Sequence, residues 1–428
     1  MRVLVTGAGG FIGQHLTASL LEAGHEVVGA VRDPEALRRR FPEVSAIRVD
    51  LNRDTEREVW TPRLQGVEAV VNCAGILQGG RGQSIEAVHH LGPRALFEAC
   101  VEASVRRVIQ VSAISADEAA GTAFASSKKR ADDALRSLDL DWVVLRPSLV
   151  YARGSYGGTS LMRALAAIPW VLPVPGDGAQ PFRPIHVSDL VRTVLWILET
   201  PGIRRLILEP VGPEELSLRE LLLRFRAWLG LPKARAVSVP LPLIRIATRI
   251  GDWLGSGPIN STALTQLEYG NAAPFEPFVQ AVGFRPRSFG EALRDEPSEA
   301  QDFWHARLYF LGPVLRVALA LLWLGSGALG LLYGSQLANQ LIEADAIGIL
   351  PSIAAVTTSI LDLLVGAWVL SGRRPVAAGA TQIGLIALYT LGLTVLAPAL
   401  WLDPFGPLLK NLPIAAAILA WMVLERER

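Results

Sequence analysis

Phe124 and Lys128 stand four residues apart in "TAFASSKKRADDAL" (122–135), where the pattern predicts the start of a helix. That spacing puts both side chains on one helix face. A tyrosine and a lysine so placed can move a proton, because the ammonium lowers the phenol's pKa. General acid assistance of that kind is worth roughly 10²–10⁴-fold. Phe has no proton to give. Either the pocket binds without reducing by that route, or the proton comes from Ser112, from water or from His186. His186, in "PIHVSDL", reads as a structural histidine at a helix start. Cys73 reads as small-residue packing and not as a nucleophile. The six His are scattered and neither CxxC nor HExxH occurs, so no metal site is expected.

These groups need a scaffold, and "RVLVTGAGGFIGQHLTASLLEAGHEVVGAVR" supplies its first unit. Arg2–Thr6 reads as a buried strand and Phe11–Leu21 as a helix, with Glu26–Val31 a second strand. Gly7, Gly10 and Gly13 lie between the first strand and the helix, at three-residue intervals. Glycine there permits a tight turn, approach to a pyrophosphate and close helix packing, and the helix N-terminus offers N–H groups to phosphates. Arg32 ends the second strand, where a guanidinium suits a 2′-phosphate and hence NADP(H). Asp33 next to it keeps NAD(H) as the alternative.

Strand-like runs recur at 45–51, 67–75, 106–115 and 140–151, with helical segments between them. Repeated βα units imply an α/β, doubly wound parallel sheet of Rossmann type, with ligands at the carboxyl ends of its strands. Asp50, Asn72–Gly75, Ser112 and Pro147–Val150 fall at such ends. Residues 150–300 are expected to form a small substrate lobe, Gly/Pro-rich where loops would line a cleft. Its segment 240–256 is apolar, with Arg245 and Arg249 on the polar side. It is expected in the lobe core, with a membrane-surface helix as the alternative.

Composition separates the last third from the rest. The chain has 428 residues and a net charge of +1, which gives no global field for nucleic acid. Mean hydropathy is +0.34. The excess sits after Leu308, where charges nearly vanish until Glu425. Apolar runs at 309–333, 347–370, 376–396 and about 408–424 predict four transmembrane helices in an all-α bundle, the fourth carrying Lys410, Asn411 and Pro413 near its start. Arg307, Arg373, Arg374, Arg426 and Arg428 flank one side, while Glu343, Asp345 and Asp403 flank the other. The positive-inside rule then puts both termini in the cytoplasm, with the chain in the inner (cytoplasmic) membrane. Two cysteines, Cys73 and Cys100, fit a reducing compartment. No export signal precedes the first strand. Arg316 and Asp362 lie at similar depth on adjacent antiparallel spans, so an intramembrane ion pair is expected.

In combination, "TGAGGFIG", "NCAG", the serine after the next strand, the lysine helix, "LRPSLVY" and "PFRPIHVSDLV" resemble the extended short-chain dehydrogenase/reductase superfamily. The likeness is nearest its atypical branch, which contains the nucleotide-binding accessory subunit of respiratory complex I. It covers about residues 1–300. The resemblance implies that Gly7, Gly10 and Gly13 hold the pyrophosphate, Arg32 the adenosine phosphate, and Asp50 with Leu51 the adenine. It lines the cofactor with Thr6, Phe11, Ile12, Cys73, Ala74, Gly75 and Pro147. Ser112 would polarise a substrate carbonyl, and Lys128 would hold the nicotinamide ribose. Phe124 departs from the pattern at the catalytic tyrosine, and His89 departs where a helix-capping Asn commonly sits. Tyr151 matches an aromatic position found beside intact tyrosines, so neither it nor Tyr156 is a natural substitute.

Residues 305–428, with "LLWLGSG", "SILDLLVGAW" and "WLDPFGPLLKNLP", resemble the DoxX-like membrane family, some of whose broader group is linked to quinone-dependent redox. The expected function is a membrane-tethered NADP(H)-dependent oxidoreductase. Its substrate would be a lipophilic carbonyl, alcohol or quinone-like compound. One alternative is a non-catalytic NADPH-binding scaffold or sensor with a membrane redox partner. Another is a nucleotide-sugar epimerase or dehydratase, weakened because that chemistry also leans on the missing tyrosine.

Overall fold

Val3, Leu4 and Val5 are fully buried in the strand Arg2–Thr6 (β1), with Val3 and Val5 entering one core and Leu4 another. A strand buried on both faces belongs inside a sheet covered by helices on both sides. The computed structural model, which describes residues 1–80, 82–254, 259–341 and 350–426, has that arrangement. Glu26–Val31 (β2) pairs parallel to β1 and then to Ser45–Arg48 (β3). On the other side of β1 lie Ala69–Asn72 (β4), Arg107–Val111 (β5), Asp141–Leu145 (β6) and the strand Leu206–Leu208. The result is a seven-stranded, all-parallel sheet whose order reverses between β1 and β4.

Helices Phe11–Glu22 (α1) and Pro34–Arg40 (α2) give Leu16, Leu20 and Leu37 to one core. Helices Arg57–Trp60 (α3), Gly92–Glu102 (α4) and Ala123–Arg136 (α5) give Trp60, Leu96, Phe97 and Leu135 to the other. The doubly wound fold is therefore present. It opens a crevice at the carboxyl ends of β1 and β4, where the chain changes direction.

The lobe has its own core of Leu172, Val174, Phe182, Leu221, Phe225 and Phe289. Ser217 caps the helix Leu218–Trp228 in a reciprocal arrangement with Glu220. The core expectation for segment 240–256 is corrected. The helix Leu241–Leu254 exposes Leu243, Ile246 and Ile250 while burying Thr248. These three apolar residues point away from the lobe, while Thr248, Gly251 and half-buried Ile244 take the inward positions.

The chain divides into two units, Met1–Phe303 and Trp304–Arg428. From Ala300 onward, three helices among the described residues are long and apolar enough to cross a membrane: Ala300–Gly334, Ile353–Leu370 and Pro375–Leu396. The apolar helix Asn411–Glu425 is shorter, so four spans are not established by length and composition. Glu343, Asp345, Ile347 and Arg428, used for orientation and span limits, lie outside the described residues.

The expected Arg316–Asp362 pair is not formed. Asp362 accepts from Ser326 Oγ at 2.8 Å and from the Tyr389 hydroxyl at 3.0 Å. The Arg316 guanidinium lies against Gly372, in the turn after the second span, and 4.0 Å from Glu425. A long side chain can snorkel to the end of the bundle, whereas a short carboxylate must find partners where it stands.

Candidate functional site

The crevice begins with a glycine turn. Gly7 has φ +67°, a left-handed conformation that favours glycine, and its N–H donates to Ala30 O at 3.0 Å. At Gly13 a Cβ would collide with the carbonyl of Gly7, so the helix can approach the turn only without a side chain there. Gly10 is the N-cap of α1, and the first intrahelical bond runs from Gln14 N–H to Gly10 O at 2.9 Å. The N–H groups of Phe11, Ile12 and Gly13 precede that bond and point out of the helix end, as a phosphate site requires.

Polar side chains tie the strand ends together. Thr6 donates to Asn72 Oδ1, and Asn72 Nδ2 donates to Gln110 Oε1 at 2.6 Å. All three are buried, linking β1, β4 and β5. Cys73 follows, and burial pushes its thiol up to about 12, so it is no thiolate nucleophile. Ala74 and exposed Gly75 continue along the rim.

At the end of β2, Arg32 is exposed, while Asp33 accepts from Ala36 N–H at 3.1 Å and caps α2. Asp50 accepts from Asn52 N–H at 3.1 Å at the end of the next strand, and Leu51 is buried against Gly92. Pro147, beyond β6, accepts from Ile114 N–H at 3.2 Å.

The helix α5 brings the catalytic candidates in. Thr122 caps it by accepting from Ala125 N–H at 3.1 Å. Lys128 is buried and donates from Nζ to Val111 O at 2.9 Å, with Ala74 O at 3.5 Å. Burial lowers its pKa to about 8, with Asp132 and Cys73 opposing the shift. Ser112 donates to Asp132 Oδ2 at 3.0 Å, and Arg146 Nε donates to the same oxygen at 2.9 Å. Asp132 is fully buried one turn after Lys128.

His89 sits in a π-helical turn, Ala87–Leu91. Burial, reinforced by the Lys128 charge, holds its pKa down at about 2, so the ring is neutral. Nε2 accepts from Ile76 N–H at 3.0 Å, which leaves the proton on Nδ1, 3.0 Å from Ser127 Oγ. Ser127 Oγ in turn donates to Phe124 O at 3.0 Å. The histidine thus satisfies a backbone donor, as a capping Asn would, and fastens the segment after β4 to α5. Its ring also meets the Phe124 ring edge-on, with centroids 5.3 Å apart.

The two tyrosines that follow Lys128 in the chain, Tyr151 and Tyr156, lie elsewhere. Tyr151 is buried between His186 and Phe289 in edge contacts, and burial pushes its phenol up. Tyr156 is exposed and stacks on Phe11 with centroids 6.1 Å apart. His186 is the N-cap of the helix Val187–Glu199, accepting from Ser188 N–H, so its structural assignment holds. The sequence reading missed Asp132 and Arg146. The signal available for Asp132 was its position four residues after Lys128 on the same helix face.

Residues 7–164 match the NAD(P)H-binding family model, and residues 320–419 match the DoxX-like family. The ceramide reductase of Caulobacter vibrioides is 29% identical over 256 residues, covering 58% of this chain and 77% of that protein. NADH dehydrogenase (ubiquinone) 1 alpha subcomplex subunit 9 of Dictyostelium discoideum is 27% identical over 226 residues, 51% of this chain and 61% of the subunit. An uncharacterized Mycobacterium tuberculosis protein is 28% identical over 275 residues, and the match spans only 28% of its length. Among solved structures, dTDP-glucose 4,6-dehydratase from Bacillus anthracis, in complex with NAD, aligns with a TM-score of 0.55 at 17% identity. That alignment covers 72% of this chain and 98% of the dehydratase, and at such identity it speaks for the fold.

Proposed function

We propose that this chain, with its NAD(P)H-binding match over residues 7–164 and its DoxX-like match over 320–419, is a membrane-tethered NADPH-dependent reductase of a lipophilic carbonyl compound. The observation that carries the reading is buried Lys128 beside Gly75, at the carboxyl ends of β4 and β5. It stands in one crevice with a glycine turn fit for a pyrophosphate. A bound nicotinamide would supply hydride. Lys128 Nζ would hold its ribose hydroxyls, and Phe124 would present an apolar wall to the substrate. With no phenol at 124, the Lys128 ammonium is one proton-bearing side chain of this crevice besides the Ser112 hydroxyl, and its pKa of about 8 suits transfer near neutrality. An apolar substrate class agrees with the membrane region and with the name of the Caulobacter relative, a reductase of ceramide. Quinone-like acceptors belong to the same class.

NADPH is favoured over NADH because Asp33 is occupied in capping α2 while exposed Arg32 is available to a 2′-phosphate. Arg32→Ala should then cost NADPH roughly 1.5–3 kcal/mol of binding and leave NADH nearly unchanged. Calorimetry with both nucleotides decides this, and equal losses would refute the preference.

A second reading, an NADPH-binding scaffold or sensor of a membrane redox complex, is favoured by Phe124 itself and by the engagement of Ser112 with Asp132. Turnover separates the two. The full-length protein in nanodiscs should oxidise NADPH with ketone-bearing lipids or quinones. Tight nucleotide binding without turnover of either class would favour the scaffold.

A further inference from the structure

The helix Leu241–Leu254 exposes Leu243 by 59%, Ile246 by 56% and Ile250 by 54%. At 3.6 residues per turn these three, with exposed Ala247, occupy an arc of about 100°. The opposite side closes on the lobe. Thr248 is buried, Ile244 is half-buried, and Gly251 fits so closely against the Ile259 backbone that a side chain there would collide. The apolar arc is thus held outward by packing.

Charge is arranged to match. Arg245 and Arg249 are exposed and border the arc on its Ile246 side, Arg245 also pairing with Glu268 Oε1 at 3.2 Å. Asp252 is turned from the arc, accepting from Gln78 Nε2 at 3.0 Å and from Ser261 N–H at 3.1 Å. An apolar face edged on one side with arginine suits an anionic bilayer surface, with the guanidinium groups at the headgroups and the aliphatic side chains below them. The same chain carries three membrane-spanning candidates among its described residues, so a bilayer is always within reach of this unit at high effective concentration.

We propose that the helix Leu241–Leu254 lies in the plane of the bilayer surface, with Leu243, Ile246 and Ile250 among the acyl chains. This docking does not depend on the reductase activity. It has a consequence for access, because the helix is fastened to the cofactor crevice. Gln78 belongs to the segment after β4, and Gln266 of the following helix donates to Thr122, the cap of α5, at 2.8 Å. The mouth of the crevice would then meet the lipid surface, and a lipophilic molecule could enter without crossing water.

The test is photo-crosslinking of the full-length protein in nanodiscs of phosphatidylethanolamine and phosphatidylglycerol. A benzophenone amino acid replaces Ile246 in one preparation, span residue Leu364 in a second, and exposed Val101 of α4 in a third. Lipid adducts at position 246 comparable in yield with those at 364, and none at 101, are the expected result. Crosslinked dimers from position 246 would assign the face to a second copy of the chain instead. Adducts to its own chain alone, or none at 246 while 364 labels, would overturn the proposal.

Discussion

Ser112 donates its hydroxyl hydrogen to Asp132 across 3.0 Å, and Arg146 secures the same carboxylate oxygen from the other side. Fully buried between two cations and a hydroxyl, Asp132 is the electrostatic counterweight of Lys128. Asp132→Ala would leave Arg146 and Lys128 as like charges without compensation. A loss of about 3–5 kcal/mol is expected, since breaking a buried pair orphans the remaining charge. Thermal unfolding in detergent measures it. A loss under about 1 kcal/mol, the scale of an exposed pair, would show that the carboxylate is not performing this role.

Lys128 gives the crevice a pH dependence. Its pKa in the folded protein is about 8, below the ordinary lysine value of 10.5. Between those values the unfolded chain holds more protons than the folded one, so the Lys128 contribution to stability rises as pH increases through that window. Nucleotide binding should run the other way. The ammonium present below pH 8 assists an anionic cofactor and is lost above it. Calorimetric NADPH affinity should fall as pH rises through about 8, and Lys128→Met should abolish that step. An identical pH profile in the variant would assign the titration elsewhere.

Phe124→Tyr should create or raise ketone reduction, by up to roughly 10²–10⁴-fold. The phenol would stand one turn before Lys128, with the edge of His89 beside it. Turnover of a panel of ketones and quinones by both forms is the measurement. Strong native activity that the substitution leaves alone or impairs would mean that another group already supplies the proton.

In the membrane region, Asp362 should be coupled to Tyr389 and not to Arg316. Asp362→Leu and Tyr389→Phe should be less than additive, with a coupling of about 0.6–1.7 kcal/mol, the range of hydrogen bonds between membrane helices. Asp362→Leu with Arg316→Leu should be additive within about 0.3–0.5 kcal/mol. Thermal stability of the singles and doubles in detergent gives both cycles, and the reverse pattern would restore the ion pair.

The sequence by itself determined the elements whose signals are local. Arg2–Thr6 and Glu26–Val31 form strands over the expected residues, because β-branched runs bounded by glycine and polar groups leave little choice. The glycine triplet was legible because a Cβ at position 13 would strike the backbone of its own turn. The i, i+4 spacing of Phe124 and Lys128 was legible because helix geometry is fixed. Of the four apolar stretches expected to span, three among the described residues are long and apolar enough to cross a membrane, a property of length and composition that needs no tertiary structure.

Tertiary structure alone decided which partner each polar group would take. Asp362 is satisfied by hydroxyls of two other helices, and equal depth on adjacent helices could not reveal that rotation. Ser112, Asp132 and Arg146 come from three separate segments that meet only when β5, β6 and α5 pack together. The helix Leu241–Leu254 was periodic in the sequence, but periodicity marks an apolar face without saying whether protein or something else covers it. Its direction was settled by Gly251 and Thr248, which fit the lobe and turn Ile246 outward.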